Sequence, residues 1–300
     1  MELHQLRYFL AVVDEGTFTA AAEAVRISQS GVSTQLQKLE RELGVVLIDR
    51  SARRVTLTPA GQRLLPYARA AIAAVDDVTG AANDIRGLVT GSLRVATVTG
   101  LIWPPLFDAL GAIYRQHPGI DLRLHEGNSD QLLAEVRDGL ADLAVAAWSG
   151  EPPEGVQTVI LVDDPLVAVV AEDHPWRARK SIRPHQLAHA DLIALPPGTG
   201  ARAALDGVLA RADARRIQPR WEVSSPAYVQ MLASRGIGIG VVSATTAEGW
   251  DAVTAIPISD DRARSQFGLV WQPRPSHAAQ ALLEHVLPRA GNARAEWQHR

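Results

Sequence analysis

The hydrophobic period of this chain changes once, and that change restricts it to a composite fold. From residue 3 to about residue 86 the apolar residues recur at helical spacing, interrupted by one short strand-like stretch. From Ser92 onward short strand-like runs alternate with amphipathic helical segments, the pattern of an α/β sheet with mostly parallel pairing. Gly87 and Gly91 lie at the joint and mark a hinge or linker. A chain of 300 residues built this way is expected to fold as two or three units.

Within the helical part, Leu3, Leu6, Leu10 and Val13 share a face and predict a helix that ends at Gly16. Thr17 is placed to cap a second, short helix over residues 18–25, whose Ala20, Ala21 and Ala24 let another helix approach closely. A third helix is expected to reach residue 43, capped by Ser28 or Ser30 and stopped by Gly44. Its Val32, Leu36, Leu39 and Leu43 line one face, and Ser30, Thr34, Gln37, Lys38 and Arg41 line the other. VVLIDRSARRVTLT then reads as two short strands, residues 45–48 and 54–58, joined by a basic loop. Thr58 and Pro59 open a long helix to about residue 86. Its narrow stripe of Leu64, Leu65, Ala68, Ile72, Val75 and Val78 is expected to pack on a second copy, with a kink or joint at Pro66.

Charge sharpens this reading. The formal net charge is −3, so the whole chain has no general attraction for nucleic acid. Residues 26–69, however, hold eight basic and three acidic residues, a local charge of +5. A helix with short polar groups outward, beside a basic strand pair, suits the major groove of duplex DNA: the helix meets base edges and the wing meets phosphates.

Two groups of segments carry a resemblance. LHQLRYFLAVVDEGTFTAAAEAVRISQSGVSTQLQKLERELGVVLIDR and RRVTLTPAG resemble the N-terminal region of LysR-type transcriptional regulators. HPGIDLRLHEGNSDQLLAEVRDGLADLAV, LPPGTGARAALD and VSSPAYVQMLASRGIGIGVV resemble that family's effector-binding domain. The resemblance implies an α/β chain with an N-terminal α-helical winged helix-turn-helix (residues 1–58), a long linker helix that dimerises (59–88) and a two-lobed α/β domain similar to type II periplasmic binding proteins (92–300). Lobe I is expected over about 92–162 and 267–300, and lobe II over about 163–266. Ser28, Gln29, Ser30, Ser33, Thr34, Gln37 and Lys38 are the expected DNA-contacting residues of the helix, and Arg50, Arg53 and Arg54 those of the wing. Two positions depart from the family's habit: Thr34 stands where a basic residue is frequent, and Gly31 where Ala is frequent. The expected partners are double-stranded DNA, a small-molecule effector, a second copy in a homodimer or homotetramer, and RNA polymerase.

In the α/β part, several helix starts carry hydroxyl or amide side chains. Thr97, Thr99 and Gly100 precede one helix, Asn128 and Ser129 the next, Gly198 and Thr199 lie in PPGTG, and Ser224 and Ser225 precede Pro226. Free N–H groups at helix starts hold small anions, and in a two-lobed fold such starts would line the crevice at the strand ends. These residues are the expected effector site, with a small carboxylate as ligand, although each is also an ordinary cap of its own helix. Trp148 either walls that crevice or packs in the core.

Other chemistry finds little support. The chain has no cysteine, which removes thiolate catalysis, disulfides and Cys-ligated zinc. His117 and His174 precede prolines in turns, and His185 and His189 lack a third ligand. Arg211, Arg215 and Arg216 read as a solvated helix end, and the spacing in RGIGIGVV does not fit a dinucleotide loop. No nucleophile and base, metal triad or cofactor loop can be assembled, so neither an enzyme nor a cofactor is expected; an enzyme with a DNA-binding head is the competing class. The start MELHQLRYFLAVVDEG lacks the basic opening and cleavage site of a signal peptide, so a cytoplasmic protein without membrane contact is expected.

Overall fold

The structure is a computed structural model and describes residues 1–50, 55–84, 90–99, 101–212 and 217–290. It divides into two compact units that break after Gly91.

The first unit opens with three helices, α1 (Leu3–Glu15), α2 (Phe18–Ala24) and α3 (Gln29–Leu43). Gly16 and Gly44 end α1 and α3 at positive φ, 69° and 70°, where a side chain would be strained. Thr17 Oγ1 caps α2 by accepting from Ala20 N at 3.1 Å, and Ser28 Oγ caps α3 by accepting from Gly31 N at 3.1 Å. Leu6, Phe9, Leu10, Val12, Ala21, Val32, Leu36 and Leu39 interlock in one core. Leu3 and Leu43, expected on the inner faces, are exposed, because each lies in the terminal turn of its helix beyond reach of that core. The wing is shorter than expected: β1 (Ile48–Asp49) pairs antiparallel with β2 (Thr56–Leu57). Helix α4 (Pro59–Asp84) starts as expected, with Thr58 Oγ1 accepting from Gly61 N at 3.0 Å. It runs through Pro66 without a break. Leu65 and Ala68 join the core, whereas Tyr67 and Val78 stand exposed.

The second unit begins with β3 (Thr90–Val98), α5 (Pro104–Gln116), β4 (Gly119–Gly127), α6 (Ser129–Arg137), β5 (Leu143–Trp148) and β6 (Gln157–Ala171). It continues through α7 (Pro184–Leu187), β7 (Leu192–Ala194), α8 (Gly200–Arg211), β8 (Trp221–Glu222), α9 (Pro226–Ala233), β9 (Ile239–Ser243), α10 (Ala244–Ala247), β10 (Val253–Pro257), β11 (Arg264–Trp271) and α11 (His277–Ala290). The strand order is β4-β3-β5-β11-β6-β9-β7-β8, with β10 also on β6. Two lobes share the long β6. Its first half pairs with β11, which also pairs with β5, and its second half pairs with β9 and β10. Pairing is parallel for β3–β5, β7–β8 and β7–β9, but antiparallel for β11–β5, β11–β6, β6–β9 and β10–β6. The expectation of mostly parallel pairing therefore fails around the lobe junction, where β6 and β11 cross in opposite directions. Lobe I is filled by Ala96, Leu132, Val136, Ala144, Ala146 and Val270. Lobe II has cores on both sheet faces, around Leu166, Leu205 and Val208 on one and Val229, Ala233 and Val242 on the other. Burying each such aliphatic side chain stabilises by about 1.5–3 kcal/mol.

Candidate nucleic-acid interface and inter-lobe cleft

Helix α3 separates its residues cleanly. Val32, Leu36 and Leu39 have no solvent exposure, which fixes the rotation of the helix. Ser28, Gln29, Ser30, Thr34, Gln37, Lys38 and Arg41 consequently face outward and exposed. Gly31 packs tightly behind its cap: a Cβ there would lie 3.1 Å from Ser28 Oγ and 3.3 Å from Ile27 Cδ1. An open groove of about 510 Å³ runs along this surface, lined by His4, Tyr8, Ile27, Ser28, Ser30 and Thr34 among others.

Arg50, expected at the phosphates, is exposed and also makes contacts within the unit. Its guanidinium pairs with Glu40 Oε2 at 3.1 Å, donates to Ser33 Oγ at 3.3 Å and stacks over Phe18 at 5.2 Å. Ser33 is accordingly half-buried. Glu40 also accepts from Leu47 N at 2.9 Å and Ile48 N at 3.2 Å through Oε1. One carboxylate thus holds the start of the wing against α3. Arg53 and Arg54 lie outside the described residues. Arg69, counted in the basic patch by sequence, is buried and pairs with Asp14, so it ties α4 to α1.

In the second unit the expected effector residues scatter. Thr97 is buried, and Gly100 lies outside the described residues. Asn128 Oδ1 accepts from Gln131 N at 2.9 Å, the cap of its own helix. Ser129 N donates to the Gly198 carbonyl at 2.8 Å, and Ser129 Oγ accepts from Ala147 N at 3.0 Å. Asn128, Ser129 and Gly198 therefore meet, but their polar groups already have partners in one another, Gln131 and Ala147. Gly198, at φ 83°, leaves no room for a side chain beside Asn128. Thr199 Oγ1 accepts from Arg202 N at 3.4 Å and donates to the Pro196 carbonyl at 2.9 Å. Ser225 Oγ caps α9 by accepting from Ala227 N at 3.3 Å, and Ser224 is exposed. Trp148 is buried in the lobe I core.

A cleft of about 490 Å³ opens between the lobes, within the range of small-molecule sites. Thr99 lines it together with Val98, Leu101 and Ile102 from lobe I, and Asp164, Ser265 and Phe267 line it from the crossing strands. Ser243, Thr245, Thr246, Glu248 and Trp250 close it from lobe II. Of the expected residues only Thr99 is in this lining. The others were missed although SATTA follows the strand GIGVV just as the chosen hydroxyl residues follow theirs.

The fold and these two surfaces define a DNA-binding head joined to a ligand-binding domain. The comparisons with known proteins agree. A model described as the LysR substrate binding domain matches residues 86–291, and one described as a bacterial regulatory helix-turn-helix protein of the lysR family matches residues 3–62. The RuBisCO operon transcriptional regulator of Allochromatium vinosum is 30% identical over 298 residues, covering 97% of this chain and 97% of its own length. The HTH-type transcriptional activator CmpR of Synechocystis is 32% identical over 244 residues, 80% of this chain and 78% of its own. A solved full-length OxyR variant from Pseudomonas aeruginosa is 26% identical and has a TM-score of 0.70, with 98% of this chain and 95% of that one covered. The chain belongs to the LysR family of transcriptional regulators, and it is a regulator rather than an enzyme.

Proposed function

We propose that this regulator reads duplex DNA through the outer face of α3 and controls a nearby gene in response to a small molecule held in the inter-lobe cleft. The observation that carries the DNA half is the exposed row Gln29, Ser30, Thr34, Gln37 and Lys38, set opposite a fully buried apolar face. Short amides and hydroxyls at this spacing suit base edges, and Lys38 suits a phosphate. The exposed Tyr67 and Val78 of α4 support pairing with a second copy, in a homodimer or a dimer of dimers. Two copies related by a two-fold axis read two half-sites. Contact with RNA polymerase and a cytoplasmic location complete the reading; among the described residues no helix is long and apolar enough to cross a membrane.

Ligand closure regulates only if the ligand prefers one arrangement of the lobes. Likeness to OxyR carries no sensing chemistry here, because a chain with no cysteine has no thiol for peroxide to oxidise. The small carboxylate expected from sequence relied on helix starts that the fold has largely satisfied from within.

Selection of binding sites from random duplex DNA by the purified full-length protein tests the reading. The expected result is an enriched sequence with approximate two-fold symmetry. Lys38→Ala is expected to lower the salt slope of binding by about one phosphate's worth without changing the selected sequence. Failure to enrich any sequence refutes the assignment of α3.

A further inference from the structure

The charge of the cleft lining narrows the ligand, given the cleft as the effector site. Two carboxylates, Asp164 and Glu248, belong to the lining, and among the described residues no Lys, Arg or His does. Asp164 is 6% exposed. Its Oδ2 accepts one hydrogen bond, from Thr245 N at 3.0 Å, and among the described residues no cation pairs with it. Its neighbour Asp163 by contrast is matched, to Arg264 at 2.8 Å. A buried carboxylate with no cation beside it favours a cationic ligand group over an anionic one.

The remaining lining fits the rest of such a ligand. Ser265 is 8% exposed and lines the cleft with its polar side chain. Ser243 and Thr246 hydroxyls lie 2.8 Å from each other at the start of α10. Trp250 from lobe II and Phe267 from the crossing strands add aromatic surface to the lining, and an aromatic face attracts an ammonium group as well as an apolar body. We infer that the effector is a small organic cation, an amine or ammonium compound with an apolar body, whose charged head pairs with Asp164 and whose body lies against Trp250 and Phe267. This inference rests on the cleft being the effector site and replaces the expected small carboxylate.

The test is thermal unfolding and calorimetric titration of the full-length protein. Benzylammonium and cyclohexylammonium are compared with benzoate, cyclohexanecarboxylate and neutral benzyl alcohol at matched ionic strength. The expected result is a rise in Tm of a few degrees with the ammonium compounds at saturation and none with the acids. Asp164→Asn keeps an acceptor for Thr245 N and is expected to weaken ammonium binding by roughly tenfold to a hundredfold. Should that variant not fold, Glu248→Gln, at an exposed position, is expected to weaken the same ligands by a smaller factor. An ammonium shift that survives both substitutions overturns the proposal. So does a shift from the acids alone; if Trp250→Ala abolishes it, the cleft remains the site and only the cation preference falls. No shift from any compound overturns the cation preference and removes the support for the cleft as well.

Discussion

Gly61→Ala and Gly111→Ala are the same substitution in two helices, and the structure gives them opposite signs. In an unobstructed helix interior, Ala is better than Gly by about 1 kcal/mol. Gly111 in α5 is such a site: a Cβ there would meet only the Arg115 guanidinium, 3.3 Å away, and that flexible side chain can move. Gly61 lies in the first turn of α4, where the helix start is clamped to the segment that leads into β1. Thr58 N donates to the Leu47 carbonyl at 3.0 Å, and Thr58 Oγ1 donates to the Val46 carbonyl at 2.6 Å. A Cβ on Gly61 would collide with the Leu47 carbonyl oxygen and stand 2.9 Å from Leu57 Cδ2. Backbone cannot yield as a side chain does. Relief requires α4 to back away from residue 47, which strains packing by about 1–3 kcal/mol and strips a hydrogen bond from a carbonyl, about 1–3 kcal/mol more. Against the helix-propensity gain, the net loss is about 1–5 kcal/mol. The assay is thermal unfolding of the full chain, with circular dichroism and loss of DNA binding as separate readouts because the two units need not melt together. Gly61→Ala is expected to lower the first unit's transition by at least about 4 °C. Gly111→Ala is expected to leave that transition alone and raise the second by about 2–4 °C. A Gly61→Ala protein as stable as the parent refutes the clamp between α4 and the wing.

Three further outcomes follow from buried polar contacts. Glu40→Ala removes the acceptor of Leu47 N and Ile48 N and the partner of Arg50; it is expected to cost about 2–4 kcal/mol in urea unfolding, with Glu40→Gln recovering part because an amide oxygen can still accept. Arg202 is 4% exposed and donates to Asp206, Glu222, Gln218 and the Leu195 carbonyl; Arg202→Met is expected to destabilise the second unit by about 2–4 kcal/mol, whereas Asp206→Asn alone, at a half-exposed partner, costs under about 1 kcal/mol. Burial alone would raise the Asp260 carboxyl, but hydrogen bonds from Arg262 N and from the Arg211 guanidinium, with the two positive charges, outweigh it and hold the group below its usual 3.8. A depressed folded-state value means that the contribution is present above the unfolded value and lost as pH falls through the folded one. Asp260→Asn is therefore expected to lower Tm at neutral pH and to converge with the parent in acid, once the pH has fallen through the depressed folded-state value.

Local signals and non-local ones were legible to different degrees. Helix α5 is legible locally because Pro104, Pro105 and a periodic apolar face suffice to define it. Helix α3 was equally clear, since its cap, stripe and terminal glycine all lie within it. Strand β6 is harder to read as one strand. VDDPL in its middle reads as a turn, two acids and a proline, yet the strand continues through it. There β6 exchanges β11 for β9 and β10 as partners, so Pro165 marks a change of neighbour and not a change of direction. Strand β10 went unseen because its pairing partner lies some 85 residues earlier in the chain, as in Ile256 with Ala168. The cleft lining is illegible in the sequence for a related reason. A hydroxyl at a helix start is a local signal, and local geometry consumed it as a cap. What lines the cleft is decided by which strand ends the lobes bring together, and Thr245 meets Asp164 across 81 residues. No short motif encodes that meeting.

The junction strands also determine how binding can be felt elsewhere in the second unit. β11 shifts register against β6 between Phe267, which lines the cleft, and Gly268, which does not. A Cβ at Gly268 would collide with the Val159 carbonyl oxygen and lie 2.8 Å from the Trp148 ring. Glycine there lets the buried Trp148 close over the crossing point, so the position of Phe267 is coupled to the lobe I core. Gly268→Ala must either push Trp148 aside or spread β11 from β6, at about 1–3 kcal/mol of stability. Either response moves Phe267 without replacing any side chain of the lining. The expected result is a lower Tm together with weaker ligand binding, whichever ligand class proves right, and normal affinity for DNA in the absence of ligand. Trp148→Phe on the Gly268→Ala background, by shortening the ring that is struck, is expected to restore part of both. If Gly268→Ala changes neither stability nor ligand affinity, the crossing strands are not packed tightly enough to transmit a ligand's preference between lobe arrangements, and the coupling must run through lobe II alone.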